Sequence, residues 1–214
     1  QTTVSRALNG YPEVSEATRR RVLEAAQSLN YSPKIRARGL ATGRSMAIAH
    51  VIPISVKHEM VNPIFSDFVA GAGETYAKAG YDLMMSIVPD QEEAVHYRAI
   101  KARGNVDGIM LHGPSLADPR IALLTELGMP FLVHGRSSET GQDYSWLDVN
   151  NTRAFARAAA YLADLGHRRI ALINGPEHLD FAHRRRRGYL AALEEAGLTP
   201  DPALAGLRHA DLGA

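Results

Sequence analysis

The chain has 214 residues, 45% apolar and 22% charged, with a net charge of +1 and no cysteine. That balance allows a sizeable core and excludes a disordered polyelectrolyte, while the missing cysteines exclude disulfides, thiolate metal sites and a cysteine nucleophile. No apolar run approaches a membrane span and the opening QTTVSRALNG lacks a charged-then-apolar leader pattern, so a soluble cytoplasmic protein with no membrane partner is expected.

The small net charge hides an asymmetry. Residues 1–44 carry Arg6, Arg19, Arg20, Arg21, Lys34, Arg36, Arg38 and Arg44 against Glu13, Glu16 and Glu24, a net of +5, which leaves the remainder at −4. Charge alone fits two descriptions, a polyanion-binding arm on an acidic body or a solvated charged helix. Within this segment Thr3 to Asn9 reads as a short helix, with Val4, Ala7 and Leu8 on one face and Gln1, Thr2, Ser5, Arg6 and Asn9 on the others, closed by Gly10. Such polar side chains can hydrogen-bond base edges or phosphates, and a helix of this width fits the major groove. Next, Val22, Ala25, Ala26 and Leu29 follow the i, i+3, i+4, i+7 spacing of a helix that Ser15 would cap. Lys34 to Ala41 is too short and glycine-interrupted to hold a helix alone, so it is expected to order only on DNA.

From Met46 onward apolar strands alternate with amphipathic helices. The strands are expected at 47–54, 81–87, 106–111, 131–134 and 169–173, and the helices at 64–79, 92–103, 120–127, 152–165 and 181–196. Asn62-Pro63 supplies a cap followed by proline at the first helical position, Asp90 with Glu93 reads as a capping box, and Gly80, Gly104, Gly128, Gly166 and Gly197 close helices. A βα repeat of this kind predicts a doubly wound parallel sheet, in which ligands sit beyond the carboxyl ends of the strands.

The ordered strings TVSRALNG, VSEATRRRVLEAAQSLNYSP and ARGLATGRS resemble the helix-turn-helix head and hinge of the LacI (lactose-repressor) family nearly position for position. The later stretches NPIF, VDGIMLHG, LGHRRIALINGP and RRGYLAALEEAGL resemble its periplasmic-binding-protein-like sensor. The resemblance implies a small all-α head on an α/β sensor: residues 1–31 a partial helix-turn-helix, 32–45 the hinge, 46–149 the first sensor subdomain and 150–214 part of the second. The family's first head helix and the rest of its second subdomain would lie outside the sequence. By matching positions Gln1 and Thr2 would face bases, with Arg6 the guanine reader, a contact worth roughly 1–3 kcal/mol of discrimination. Thr3, Ser5, Asn9, Thr18 and Tyr31 would touch phosphates or position the head. The hinge, with Ala37 and Leu40, would enter the minor groove as a dimer, Leu40 wedged between base pairs. The alternative for Leu40 is a contact to the next domain. Lys34 stands where the family usually has Asn.

For the sensor, the resemblance places Phe65, His112, Arg136, Asp148 and Arg185 around a cleft between the subdomains. Phe65 would stack on a ligand ring and Asp148, at a crossover near 146–151, would accept hydroxyl protons. Arg185, three residues before Gly188, would fork onto hydroxyls or a carboxylate, one inward-facing side chain in an otherwise solvated run 184–187. Phe65 as core and His112 as a satisfied loop histidine are the plain alternatives. Two departures bear on the ligand: Asn150-Asn151 replaces a common Asp-Asn, and His134-Gly135 ends a strand where Asp is common. The expected effector is a saccharide, with a purine or other non-sugar ligand as the alternative.

The expected whole is a ligand-responsive regulator, in the repressor sense, that binds a pseudo-palindromic operator as a homodimer, with no cofactor and no metal. An enzyme is disfavoured because GxGxxG between strand and helix, GxxxxGK[ST], GxSxG and HExxH are all missing, and Gly71-Ala72-Gly73 falls within a helix. A solute-binding protein serving a transporter shares the sensor fold, but the basic head argues against it. Replacing Leu40 by Ala in the complete protein is expected to weaken operator binding and reduce DNA bending; unchanged mobility shifts on bent-DNA probes would rule out the wedge.

Overall fold

The computed structural model describes residues 2–8, 10–31, 43–54, 62–202 and 204–208, and for Thr2 and 205–208 only the backbone. Two helices, α1 (Thr2–Leu8) and α2 (Glu16–Ser28), come first. Ser15 caps α2 as the sequence predicts, its Oγ accepting the Thr18 N–H at 3.4 Å and lying 2.9 Å from Thr18 Oγ1. Between the helices Gly10 takes φ +74 and the Tyr11 N–H returns to the Arg6 carbonyl at 3.0 Å. Ala7 and Val14 are buried, whereas Leu23 and Leu29 of the second helical stretch stay 49% and 77% exposed.

The chain then builds β1 (Ala47–Pro53), α3 (Pro63–Lys78), β2 (Asp82–Val88), α4 (Glu93–Arg103), β3 (Gly108–His112), α5 (Pro119–Glu126), β4 (Phe131–His134) and the short β5 (Trp146–Leu147). All pairings are parallel, in the order β2-β1-β3-β4-β5. Period-two alternation sorts the two faces. Ala49, Val51, Ile109, Leu111 and Val133 meet Tyr97 and Ile100 of α4 and Ile121 and Leu124 of α5 in one buried cluster. The opposite face carries α3, whose half-buried positions 65, 68, 69, 72, 73 and 76 form one helical stripe.

Caps explain where the helices begin. Asn62 accepts the Ile64 N–H at 3.0 Å ahead of Pro63, and Asp118 does the same for Arg120 ahead of Pro119. The capping box expected at Asp90 does not form. Asp90 lies inside a short 3-10 turn (Asp90–Glu92), and neither that turn nor α4 starts with a side-chain cap bond. Gly80, Gly104, Gly128, Gly166 and Gly197 all have positive φ after their helices, as expected.

A second unit follows: α6 (Asn151–Asp164), β6 (Leu172–Asn174), α7 (Asp180–Glu195) and β7 (Ala205–Arg208), with β6 and β7 parallel. The expected strand 169–173 is displaced toward its C-terminal end, and β7 was not foreseen. Its LAGLR sequence lacks the β-branched and aromatic residues that mark a strand. Ala159, Ala163, Ile170, Leu172, Tyr189, Ala192 and Leu193 form a separate core, closed by the Tyr189 hydroxyl on the Ile170 carbonyl at 2.8 Å. Helices α6 and α7 are tightly apposed at Gly188, where a Cβ would lie 2.0 Å from the Thr152 carbonyl oxygen. Overpacking of this kind typically costs about 1–3 kcal/mol or more. Gly188→Ala should therefore lower the urea midpoint by at least that equivalent, and an unchanged midpoint would show that α7 can shift away from α6 at no cost.

Candidate ligand cleft and nucleic-acid interface

Because every strand pairing is parallel, β1, β3 and β4 deliver their carboxyl ends to one edge, and each contributes a histidine to the α3 face there. His112 and His134 are register partners, and His50 stands two residues back on β1, opposite Met110. His50 Nδ1 lies 3.1 Å from His112 Nε2, His112 Nδ1 lies 3.2 Å from His134 Nδ1, and His50 Nε2 lies 3.1 Å from the Tyr76 hydroxyl. Helix α3 lids the row. The Phe68 ring stacks on His134 with centroids 3.9 Å apart, and Phe65 meets His112 edge-on at 5.2 Å. His50 and His112 are buried, and His134 is half-buried.

A charged hub anchors the loop behind His112. Arg120 grips Asp118 through Nε at 2.9 Å and Nη2 at 2.7 Å and reaches Glu93 at 3.2 Å. Its Nη2 also donates to the His112 and Gly113 carbonyls at 3.1 and 3.2 Å. Burial alone would raise the Asp118 carboxyl, but the Arg120 hydrogen bond and charge and the Ser115 and Arg120 N–H groups hold it below its ordinary value. Ser137 completes the turn, its Oγ accepting from the Asp118 N–H at 2.9 Å.

The second unit meets this edge through the start of α7. Ser115 and Leu179 form an antiparallel bridge, and the Asp180 N–H donates to the Pro114 carbonyl at 3.1 Å. Ser138 donates to Asp180 Oδ1 through both its N–H and its hydroxyl. Arg184, buried, pairs with Asp148 at 2.5 Å and with fully buried Asp180 at 3.6 Å. Asn151 links these groups to the neighbouring arginine: its Nδ2 donates to Asp148 Oδ1 at 3.1 Å and its Oδ1 accepts from Arg185 Nε at 2.9 Å. The Arg185 guanidinium sits 4.6 Å from the Phe181 ring centroid. Phe181 in turn covers Gly175, where a Cβ would come within 2.5 Å of its Cζ.

The sequence-predicted sensor residues are thus placed in two groups. Phe65, on α3, meets His112 at the end of β3, and Asp148 and Arg185 lie together at the crossover, both bonded to Asn151. Arg136 is exposed, its guanidinium 4.4 Å above the Trp146 ring at the β5 edge. The run 184–187 sends two side chains inward rather than one, and Arg184 is the more enclosed. Sequence reasoning missed His50, Phe68, Tyr76, Asp180 and Arg184, and it noted Asn151 and His134 only as departures. A cavity of about 450 Å³ opens at the opposite edge of the sheet, lined by residues that include Arg44, Tyr81, Lys101 and Asp107. Parallel α/β sheets bind ligands at the carboxyl edge, so the histidine edge and not this cavity is the candidate cleft. Among the described residues no cluster of His, Asp or Glu is arranged to hold a metal ion, and no helix is long and apolar enough to cross a membrane.

In the head, Thr3, Ser5 and Arg6 are exposed on α1, Thr18 stands at the Ser15 cap, and Tyr31 is 57% exposed. Gln1, Asn9, Ala37 and Leu40 lie outside the described residues, as does the side chain of Thr2.

Two short helices bearing an exposed polar face, followed by a doubly wound parallel sheet whose carboxyl edge meets a second α/β unit, define a helix-turn-helix head on a periplasmic-binding-protein-like sensor. The chain belongs to the LacI family: residues 49–206 match the family of periplasmic binding proteins and sugar binding domains of LacI proteins, and residues 1–34 match the bacterial regulatory proteins of the lacI family. It is 47% identical to the HTH-type transcriptional regulator AglR of Rhizobium meliloti (strain 1021), over 95% of this chain and 57% of that one. It is 32% identical to the HTH-type transcriptional regulator CelR of Thermobifida fusca, over 94% and 60%. Among solved structures it resembles a CelR–cellobiose complex (TM-score 0.69, 29% identity, 97% of this chain and 61% of that one). It also shares the fold of the lac repressor dimer bound to operator and the anti-inducer ONPF (TM-score 0.78, 24% identity, 97% and 60%). The chain spans 57–60% of the length of these curated relatives.

The histidine row carries a pH signature. Burial, with the His134 charge, lowers His50 from 6.5 to about 4. Burial first and then the charges of His50, His134 and Arg120 hold His112 well below the ordinary imidazole range, and burial lowers His134 against an opposing pull from Asp148. The unfolded chain takes up protons near pH 6.5 that the folded chain refuses, so stability from these rings is complete above that pH and is lost as pH falls toward 4. Urea midpoints should drop from pH 7 to pH 5, and His50→Gln should flatten that slope. An equal slope in the variant would remove the row as its cause.

Proposed function

We propose that this chain is part of a ligand-responsive, sequence-specific DNA-binding transcriptional regulator, acting as a repressor, whose effector is a saccharide. In this reading residues 1–31 contact operator DNA, 32–45 form the hinge, and 46–149 and 150–214 contribute the two sensor subdomains. The observation that carries it is the order of the two family matches, a lacI-type head directly ahead of a sugar-binding-type sensor. The exposed polar face of α1 and the basic first 44 residues support the DNA contact. The regulator names of the relatives and the cellobiose held by CelR support the effector class.

The protein acts in the cytoplasm as a homodimer on a pseudo-palindromic site, because a two-fold dimer is matched by a two-fold operator. Ligand in the cleft moves the two subdomains relative to each other, changes the spacing of the paired hinges and so couples the two binding events, typically by about 1–3 kcal/mol. Phe65, Phe68 and His134 form the apolar and polar floor on one side, and Asp148 and Arg185 face them from the crossover.

The test uses the full-length protein. Selection from random DNA should return a pseudo-palindrome, and a thermal-shift panel of mono- and disaccharides with purines as the contrast should yield a sugar, which at 100 times its Kd adds about 2.7 kcal/mol. Arg185→Ala should abolish that shift and leave operator binding intact. A purine hit would overturn the saccharide assignment, and a normal sugar response in Arg185→Ala would remove that residue from the cleft.

A further inference from the structure

Tyr76, His50, His112 and His134 make an unbranched row of hydrogen-bonding atoms separated by 3.1, 3.1 and 3.2 Å. His112 spends its two ring nitrogens on opposite neighbours. The row is therefore a chain and not a cage, and no point lies within ligating reach of all three rings.

Proton counting restricts what such a chain can do. A neutral imidazole has one N–H and one lone pair, so each ring-to-ring contact takes one donor and one acceptor. Only two continuous orders satisfy every contact. In one, the Tyr76 hydroxyl donates to His50 Nε2, His50 Nδ1–H to His112 Nε2, and His112 Nδ1–H to His134 Nδ1, which leaves an N–H on His134 Nε2. In the other every donor is reversed, His134 Nε2 becomes a lone pair, and the Tyr76 proton needs a different acceptor.

Two features choose the first order. It uses the tyrosine's own proton inside the row. At the far end, the Asp148 carboxylate lies near enough to His134 to favour positive character there, which stabilises an N–H and opposes an outward lone pair. Phe68, stacked parallel to His134 at 3.9 Å, holds the ring plane, and the Nδ1 contact to His112 turns the opposite nitrogen, Nε2, away from the row. His134 is the least enclosed of the three rings.

We propose that this row is a directional relay running from the Tyr76 O–H to the His134 Nε2–H, and that it makes His134 a specificity-determining donor for a ligand oxygen, a hydroxyl, ether or carbonyl, in the cleft. The inference rests on the reading of the carboxyl edge as the ligand site and names the group that edge presents. His50 and His112 are positioning residues: His112 holds the tautomer of His134 directly, and His50 holds it through His112. A ligand offering only N–H groups at this point meets donor against donor and is rejected.

The experiment is a long-range 1H–15N spectrum of full-length protein labelled at histidine, which distinguishes the protonated from the bare nitrogen in each ring. The expected pattern in the ligand-free protein is His50 Nδ1–H, His112 Nδ1–H and His134 Nε2–H. The reversed pattern, or mixed tautomers, overturns the relay. With any sugar that registers in the thermal panel, the His134 Nε2 signals should shift. His134→Leu should weaken its binding about three- to tenfold, the loss of one neutral hydrogen bond, and His134→Gln, which keeps an N–H, should recover most of that. A bound sugar that leaves the His134 signals and the His134→Leu affinity unchanged overturns the donor role. Silence of the whole sugar panel on the wild-type protein counts against the saccharide effector alone, and the tautomer pattern then decides the relay by itself.

Discussion

A parallel sheet sends every strand out through the same edge, and the described structure beyond the head is organised by that constraint. β1, β3 and β4 are adjacent in the sheet, so residues as far apart in sequence as His50 and His134 finish within reach of one another. The same constraint forces the β3–α5 and β4–β5 loops together, where their backbone groups would lose water without gaining partners. Arg120 answers this by donating to the His112 and Gly113 carbonyls while bound to Asp118, and Ser137 by bonding the Asp118 N–H and the Leu116 carbonyl. The site histidines are thus held from behind by a charged hub and covered from the front by α3.

The other side of the edge is settled by a shared ion. Arg184 lies between Asp148, which follows β5, and Asp180, which opens α7. A buried ion pair gains little net stability because desolvation offsets attraction, yet removing one partner leaves a buried charge and costs about 3–5 kcal/mol. Such a pair therefore acts as a register: α7 is tolerated where its cation meets both carboxylates and strongly opposed elsewhere. Gly188, four residues on, reinforces the choice, because the close approach of α6 at Thr152 leaves no room for a side chain.

Much of this was legible in the sequence wherever the signal was local. Ser15 and Asn62-Pro63 announced helix starts through side-chain geometry confined to two or three residues, and the helix-closing glycines announced ends because only they accept positive φ cheaply. The failures are nonlocal. Three histidines each sit in an apolar strand, AIAHVIP, GIMLH and FLVH, which was a visible oddity, but only the strand order shows that they share a face. Arg185 was singled out by its match to the family's ligand-binding arginine, and charge alone gave no reason to look at Arg184 beside it. The spacing Asp180, Arg184, Gly188, Ala192 was available, and a small-residue stripe at intervals of four would have marked Arg184 as the buried one.

The edge holds polar groups in two chemically different ways. The histidine row stays neutral, so it avoids the cost of a buried charge and gains direction, since a chain of imidazoles has a donor end and an acceptor end. The Arg184 cluster is built on ion pairs and gains register. Asp148 belongs to both: it takes hydrogen bonds from Arg184 and Asn151, and its field reaches His134. A carboxylate has more lone pairs than those two bonds consume, so a third donor at Asp148 weakens its hold on Arg184 and dilutes its field at His134 in the same act. The position of α7 and the polarity of the His134 ring are for that reason not independent variables.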